Sequence, residues 1–168
     1  TGLGAVPVIS VAGHDTASAV AAVPAQNENF ARDVQALVLS MPVARMLQLR
    51  FERIEPGEVD LCLPYQESLS FRPGQLQATP VFAIADFAAV SAAGTLLPTG
   101  WRNATIDCSI KYLAAANGTS LLARGRVIQA SKLLTVARAD VFSCREGREL
   151  LCATMLATAR NLAPASQD

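Results

Sequence analysis

The sequence predicts an α+β fold in which a curved antiparallel sheet wraps around one long central helix. Three observations support this prediction. Residues 81–93 are almost all apolar or small and follow directly after a proline. A segment with period-two alternation precedes them, and four further strand-like segments follow them. Strands joined by short turns, with one apolar helix between them, pack as a single sheet with the helix on one face.

The size and composition of the chain indicate one domain. It has 168 residues, of which 51% are hydrophobic, so it can bury a sizeable core. Fourteen basic and fourteen acidic residues give a formal net charge of zero, which argues against a nucleic-acid or membrane-surface partner. No apolar run reaches the roughly 20 residues that span a bilayer. We expect a domain over residues 28–163, with tails at residues 1–27 and 164–168.

The elements before the central helix are predicted from their periodicity. Residues 1–27 show no clear period, and helical spacing begins near residue 29 and ends near Ser40, just before Pro42. Alternating apolar and polar residues then predict a hairpin whose turn lies at residues 55–58. Residues 66–77 are polar and contain a Pro-Gly pair, so they predict a loop.

The central helix is predicted to be buried, because it is apolar on every side. Thr79 is placed to cap it, Pro80 suits its first turn and Gly94 suits its end. Four strands are predicted after it, at residues 103–115, 119–130, 133–144 and 149–160. The Asn117-Gly118 pair favours a two-residue turn, so we expect these strands to form a meander in chain order.

The single histidine and the four cysteines limit the chemistry. His14 lies in the predicted N-terminal tail, so neither a histidine base nor a His-based metal site is expected in the folded part. The cysteines lie in apolar, strand-like segments without a Cys-x-x-Cys pair, at positions Cys62, Cys108, Cys144 and Cys152. We expect reduced core thiols in a cytoplasmic protein, and neither a metal nor another cofactor.

Asp86 is the strongest candidate functional residue, because it is the one charge inside the apolar helix. Burial of an unpaired carboxylate is costly and needs a reason. Either Asp86 caps a backbone group or pairs with an arginine such as Arg102, or it is a general base or nucleophile in a cleft. The residues alone leave both readings open. Free N–H groups near Thr79, at the helix start, could stabilise an oxyanion.

The basic residues of the strand region allow two interpretations. They are Arg102, Arg124, Arg126, Lys132 and Arg138. Ordinary ion pairs on a solvated sheet face are the more common arrangement. A phosphate clamp for an anionic ligand is the functional alternative.

Four stretches, in this order and spacing, resemble the hotdog-fold acyl-CoA thioesterases, in the 4-hydroxybenzoyl-CoA and phenylacetate-pathway branch. They are Ser-Met-Pro-Val-Ala at 40–44 with Leu49, Gly-Glu-Val at 57–59 with Leu63 and Pro64, Pro-Val-Phe-Ala-Ile-Ala-Asp-Phe-Ala at 80–88, and Thr-Ile-Asp-Cys-Ser-Ile-Lys-Tyr-Leu at 105–113. The resemblance covers about residues 36–162. It implies a hotdog sheet of five or six strands, a homodimer or homotetramer, and sites at the dimer interface.

The resemblance also implies that the protein hydrolyses an acyl-CoA or a related acyl thioester. Asp86 falls on the family's central-helix carboxylate, which acts as base or nucleophile. Thr105 falls on the residue that positions the attacking water, and we expect it to act from across the dimer interface. Gln77 and Ala78 fall where many relatives have a His-Gly-Gly motif that holds the oxyanion. The residues expected to contact the substrate are Thr79, Phe82, Arg102 and Lys132.

Two alternatives stand beside hydrolysis. Gln77, Ala78 and Thr79 replace the His-Gly-Gly motif, and Phe71 stands about where the family has an upstream Asn. These departures favour a non-catalytic or weakly active acyl-CoA-binding protein. Hotdog hydratases and dehydratases generally depend on a histidine, and His14 in the predicted tail does not favour that branch.

Overall fold

The computed structural model describes residues 24–165. Most of the predicted N-terminal tail, including His14, and residues 166–168 lie outside the described residues. The described helices are α1 (Phe30–Ser40), α2 (Pro42–Met46) and α3 (Ala78–Gly94), with a 3₁₀ turn at Glu67–Leu69. The described strands are β1 (Arg50–Glu55), β2 (Glu58–Pro64), β3 (Ser70–Arg72), β4 (Gln75–Leu76), β5 (Arg102–Tyr112), β6 (Ser120–Ala130), β7 (Leu134–Arg145) and β8 (Arg148–Leu162).

The architecture confirms the predicted α+β fold. Six strands form one antiparallel sheet in the order β1-β2-β6-β7-β8-β5, and β3 pairs with β4 in a separate small hairpin. The central helix α3 packs against β2, β5, β6, β7 and β8, so the sheet curves around it. Among residues 24–165, no helix is long and apolar enough to cross a membrane.

Small side chains allow α3 to lie very close to the sheet. The alanines of α3 that are fully buried are Ala85, Ala88, Ala89, Ala92 and Ala93. The closest approach is to Gly125 on β6, where an added Cβ would lie 2.1 Å from the Ala88 carbonyl oxygen. Only glycine fits this position, because both contacting groups are backbone.

The predicted meander of four consecutive strands is wrong at its first turn. β5 pairs with β8 at one edge of the sheet, whereas β6 pairs with β2 and β7. The Asn117-Gly118 pair therefore does not close a hairpin. Gly118 is required by a close approach instead, because a Cβ there would lie 2.3 Å from the Cys144 carbonyl oxygen, and its N–H donates to Ser143 Oγ at 2.7 Å.

The start of α3 differs from the prediction that Thr79 caps it. The N-cap residue is Gln77, which has extended backbone and makes no side-chain capping bond. Pro80 thus occupies the third helical position, where a missing N–H costs nothing because that group has no intrahelical acceptor. The predicted loop at 66–77 also contains the β3–β4 hairpin, and the short helix α2 precedes β1.

The four cysteines are free, as predicted, but only one is fully buried. Cys152 is buried, whereas Cys62, Cys108 and Cys144 are half-buried. The prediction of core thiols is wrong for Cys62 and Cys144, whereas Cys108 packs against the core from the edge strand β5. Burial raises the pKa of the Cys152 thiol to about 11, so it stays protonated at neutral pH.

Candidate active site

A cavity of about 510 Å³ lies between α1, α3 and the start of β5. This volume is typical of small-molecule sites. Its apolar wall is formed by Val34, Leu37, Val38, Met41, Phe87, Val90, Leu97, Pro98 and Trp101. Its polar groups belong to Asn27, Asp33, Asp86, Ser91, Arg102, Asn103 and Thr105. The cavity therefore combines a largely apolar surface with a few polar groups, one of which is the candidate carboxylate.

Asp86 and Thr105 form the polar centre of this cavity. The Thr105 hydroxyl donates a hydrogen bond to Asp86 Oδ1 at 2.8 Å. Burial raises the pKa of the Asp86 carboxyl above its ordinary value, and the bond from Thr105 partly opposes this increase. In the described part of the chain, no Lys or Arg nitrogen lies within 4.0 Å of this carboxylate. Asp86 is therefore not neutralised by Arg102, and a carboxylate in this state is a stronger base than an exposed one.

A second hydrogen bond fixes β5 against α3 beside this pair. The Asn103 side-chain amide donates to the Val90 carbonyl oxygen at 3.0 Å. Asn103 and Thr105 are two residues apart, so their side chains lie on the same face of β5. Val90 lies one helical turn after Asp86, and the two donors on β5 are therefore spaced like the two acceptors on α3. Sequence reasoning missed Asn103. The available signal was its position two residues before Thr105, on the face that turns towards the helix.

The three residues at the start of α3 lie away from Asp86 in the same chain. Gln77, Ala78 and Thr79 are exposed and precede Asp86 by seven to nine positions, which is roughly 10–13 Å along the helix axis. The Gln77 N–H donates to the Leu69 carbonyl oxygen at 3.0 Å. The N–H groups of Ala78 and Thr79 have no intrahelical acceptor. Within one chain, the candidate base is therefore far from the candidate oxyanion donors.

The remaining predicted residues are divided between two cavities. Arg102 lines the cavity that contains Asp86, and Lys132 lines a neighbouring cavity of about 450 Å³. The two cavities share a wall formed by Leu97, Pro98 and Trp101. Phe82 is half-buried and packs against the core one turn before Asp86. Thr105 lies beside Asp86 of its own chain, so the expectation that it acts from across a dimer interface is wrong.

Three of the basic residues are engaged in ion pairs on the outer face of the sheet. Arg124 contacts Glu149 at 2.9 Å and Arg126 contacts Asp60 at 2.7 Å, and a longer pair at 3.5 Å joins Arg138 to Asp140. Arg124 and Arg126 flank Gly125, which faces α3, so they point away from the helix. The interpretation as ordinary ion pairs is correct for these three residues. No group of metal-binding side chains occurs among residues 24–165.

Comparison with known proteins agrees with this fold. No family model matches the chain. A thioesterase family protein from Silicibacter pomeroyi superimposes with a TM-score of 0.77 at 32% identity, covering 80% of this chain and 98% of that one. A thioesterase from Haemophilus influenzae has a TM-score of 0.69 at 15% identity, covering 80% and 93% of the two chains. A phenylacetic acid degradation-related protein from Ralstonia eutropha has a TM-score of 0.66 at 19% identity, covering 78% and 98%.

The chain belongs to the hotdog-fold thioesterase superfamily. The identity and coverage of the Silicibacter pomeroyi protein establish this membership, and the other two structures share the fold. The resemblance inferred from the four sequence stretches is therefore confirmed.

A short match links the chain to a different class of protein. A segment of 31 residues is 81% identical to part of a rhamnulokinase from Bacteroides thetaiotaomicron. The match takes up 18% of this chain and 6% of the kinase. A segment of this length is smaller than a domain, so it indicates neither a kinase fold nor a kinase site.

Proposed function

We propose that this protein is a thioester hydrolase that cleaves an acyl-CoA or a related acyl thioester, with Asp86 as base or nucleophile. The observation that carries the proposal is the Asp86 carboxylate, which is partly buried, lacks a described cationic partner and opens into a cavity of about 510 Å³. A carboxylate in such an environment is a stronger base than an exposed one, which is a property of catalytic groups.

The geometry supports two routes for the carboxylate. As a base, Asp86 takes a proton from a water molecule while that water attacks the thioester carbonyl carbon, and the thiolate of CoA leaves. As a nucleophile, Asp86 attacks the carbonyl carbon itself and expels the CoA thiolate, and water then hydrolyses the resulting anhydride to the free acid and the restored carboxylate. In both routes the bond from Thr105 holds Oδ1, and Oδ2 is the oxygen that remains for the reaction.

The oxyanion donors are proposed to come from a second copy of the chain. β5 spans the two halves of the site, because Thr105 bonds to Asp86 at one end and the Tyr112 hydroxyl donates to the Ala78 carbonyl oxygen at 3.3 Å at the other. Antiparallel pairing of two β5 strands about a two-fold axis near their middle sets Tyr112 of one chain opposite Thr105 of the next. The start of α3 in each chain then approaches Asp86 of the other.

Exposed apolar side chains support this pairing of β5 strands. β5 is an edge strand of eleven residues with β8 as its neighbour, and an open edge of this length is normally covered. Ile106, Tyr112 and Leu113 are exposed along it, and Phe71, close in sequence to the start of α3, is 72% exposed. Burial of these side chains against a second copy would offset the cost of their exposure to water. We propose a homodimer as the active unit, which two dimers could extend to a homotetramer.

Arg102 and Lys132 are proposed to bind the phosphates of CoA. Both are exposed, and neither forms an ion pair with a described residue. They line the two cavities on either side of Trp101, so an extended anionic ligand could contact both. The four free thiols fit a reducing compartment such as the cytoplasm.

The first experiment measures hydrolysis of a panel of acyl-CoAs by the full chain and by Asp86→Asn. We expect the wild type to release CoA and Asp86→Asn to lose at least about 10²-fold in kcat, the usual contribution of a positioned base. The matched control is Asp107→Asn, because Asp107 is an exposed carboxylate on the same strand as Thr105. Equal activity of the wild type and Asp86→Asn would exclude Asp86 as the catalytic group.

The second experiment tests whether the site is shared between two copies. Ala78→Pro removes the Ala78 N–H, and the helix should tolerate it because proline suits the first helical position and Gln77 is already extended. Ala78→Ser keeps the N–H and serves as the control. An equal mixture of inactive Ala78→Pro and inactive Asp86→Asn chains should restore about a quarter of wild-type activity. Half of the dimers then contain one chain of each kind, and each of these mixed dimers has one intact site out of two. No recovery after exchange of subunits would place both groups in one chain.

The alternative of a non-catalytic acyl-CoA-binding protein is favoured by the replaced motif. Gln77, Ala78 and Thr79 stand where many relatives have the His-Gly-Gly that holds the thioester carbonyl. Calorimetric binding of acyl-CoA without release of CoA, across chain lengths, would support this alternative over hydrolysis.

A further inference from the structure

Ser91 is a buried residue on the floor of the Asp86 cavity. Its side chain is 5% exposed, and it lines the cavity together with Phe87 and Gly94 of the same helix. In the described part of the chain, its hydroxyl forms no hydrogen bond with a protein group. No side-chain oxygen is both fully enclosed and unpaired among residues 24–165, so the Ser91 hydroxyl must reach the cavity.

Other buried hydroxyl groups in this protein are paired. Ser143 is 7% exposed and accepts the Gly118 N–H at 2.7 Å. Thr95 is fully buried, donates to the Ala92 carbonyl oxygen at 2.6 Å and accepts the Gly57 N–H at 2.7 Å. The Ser91 hydroxyl pairs with no described protein group, and its accessible side is the cavity, so its partner there is water or a polar group of a bound ligand. A ligand that displaces the water without offering a polar group leaves the hydroxyl unpaired, at a cost of roughly 1–3 kcal/mol.

The position of Ser91 relative to Asp86 defines where that ligand group lies. Five residues along α3 correspond to about 7.5 Å along the helix axis and about 140° around it, so the two side chains are roughly 10 Å apart. An extended chain advances roughly 3.5 Å for every three bonds, so about eight bonds cover this distance. The apolar side chains of Phe87 and Val90 line the cavity between the two residues. A ligand that reaches both residues is therefore apolar in its middle and polar at its far end.

We infer that the cavity holds the acyl group of the thioester and that Ser91 binds a polar substituent, a hydroxyl or carbonyl oxygen, about eight bonds from the thioester carbonyl carbon. This inference rests on the proposed function, and it names the substrate class as acyl thioesters that carry such a distal polar group. Ser91 is then a specificity-determining residue. The Ser91 hydroxyl can donate to either kind of substituent and can also accept from a hydroxyl.

The test compares octanoyl-CoA with 8-hydroxyoctanoyl-CoA, which differ by one distal hydroxyl. We expect the wild type to prefer the hydroxylated thioester by about five- to tenfold in kcat/KM, which corresponds to one buried hydrogen bond. Ser91→Ala should abolish this preference, because the distal hydroxyl then loses its hydrogen-bond partner. The control Ser143→Ala should keep the preference. A wild-type ratio near one, or a ratio that survives Ser91→Ala, would overturn the inference.

Binding and stability measurements separate this inference from the hydrolase proposal. Dissociation constants of both thioesters are measured with Asp86→Asn, in which hydrolysis is blocked. If the wild type hydrolyses neither thioester but binding shows a preference that depends on Ser91, the specificity role stands and the hydrolase proposal fails. Ser91→Ala should keep its thermal midpoint, whereas Ser143→Ala should lower it, because only Ser143 loses a protein hydrogen bond. An equal decrease in both variants would show that Ser91 has a structural role instead.

Discussion

Substitution of Gly125 by alanine should push the central helix away from the sheet. An ideal Cβ at this position would lie 2.1 Å from the Ala88 carbonyl oxygen and 2.4 Å from its carbonyl carbon. A distance of 3.0 Å is the least that real Cβ atoms tolerate, so the helix and β6 must separate by about 0.9 Å. Both partners are backbone, so no side chain can rotate to relieve the contact. Overpacking costs about 1–3 kcal/mol where side chains can adjust, and we expect Gly125→Ala to reach at least the upper end of that range.

The same displacement should affect catalysis, because Ala88 lies only two residues after Asp86. A misplacement of about 1 Å at a catalytic group can cost on the order of 10²-fold in rate. The assay combines urea unfolding with acyl-CoA hydrolysis under conditions where the variant is folded. Gly147→Ala is the control, because its site has positive φ but nothing within 4 Å, so it should cost only about 1–2 kcal/mol and leave activity unchanged. If Gly125→Ala unfolds at the urea concentration of the wild type, the close packing of α3 on β6 is refuted.

Three further predictions concern Asp86, Thr105 and Gly118. Because burial raises the pKa of Asp86, ionisation of this group destabilises the folded state as pH rises through that pKa. Asp86→Asn should therefore be more stable than the wild type at pH 7 in urea unfolding, and the difference should vanish in acid; a less stable variant at pH 7 would contradict this. Thr105→Val removes the bond that lowers the pKa of Asp86, so the acid limb of the kcat/KM profile should move to higher pH, and an unmoved limb would show that Asp86 does not control it. Gly118→Ala should lower the thermal midpoint strongly, because its Cβ would lie 2.3 Å from the Cys144 carbonyl oxygen, and an unchanged midpoint would contradict that contact.

Most elements of the fold, and the strand pairs β1–β2, β6–β7 and β7–β8, could be predicted from the sequence, but the place of β5 in the sheet could not. The apolar run at 81–93 predicts a buried helix because no polar face is left for water. The Asn117-Gly118 pair, in contrast, wrongly predicts a hairpin turn, because a glycine required by a close backbone approach looks the same in sequence as a turn glycine. Whether β5 pairs with β6 or with β8 depends on the path of the chain around α3, and local periodicity carries no information about that path.

The candidate site was predictable to a similar extent. Asp86 stood out because a charge inside an apolar helix is costly. Its contact with Thr105 joins residues 19 positions apart, and only the folded structure shows that the two side chains meet within one chain. Ser91 was missed, because one small residue in an alanine-rich helix differs from its neighbours by a single oxygen atom. Its importance depends on the cavity beside it, which the sequence does not describe.

The roof and the floor of the cavity are built by elements with very different constraints. The floor, α3 and β5, is fixed by the Asp86–Thr105 and Val90–Asn103 hydrogen bonds and by close backbone packing. The roof, α1, contacts α3 through side-chain packing such as that of Val34 on Gly94, without a described hydrogen bond to α3 or β5. Mutations on the inner face of α1 can thus remodel the shape of the cavity while the Asp86 carboxylate stays in place. If the proposed function holds, such a division would let related proteins differ in substrate through changes in α1 alone, with the proposed chemistry of Asp86 unchanged.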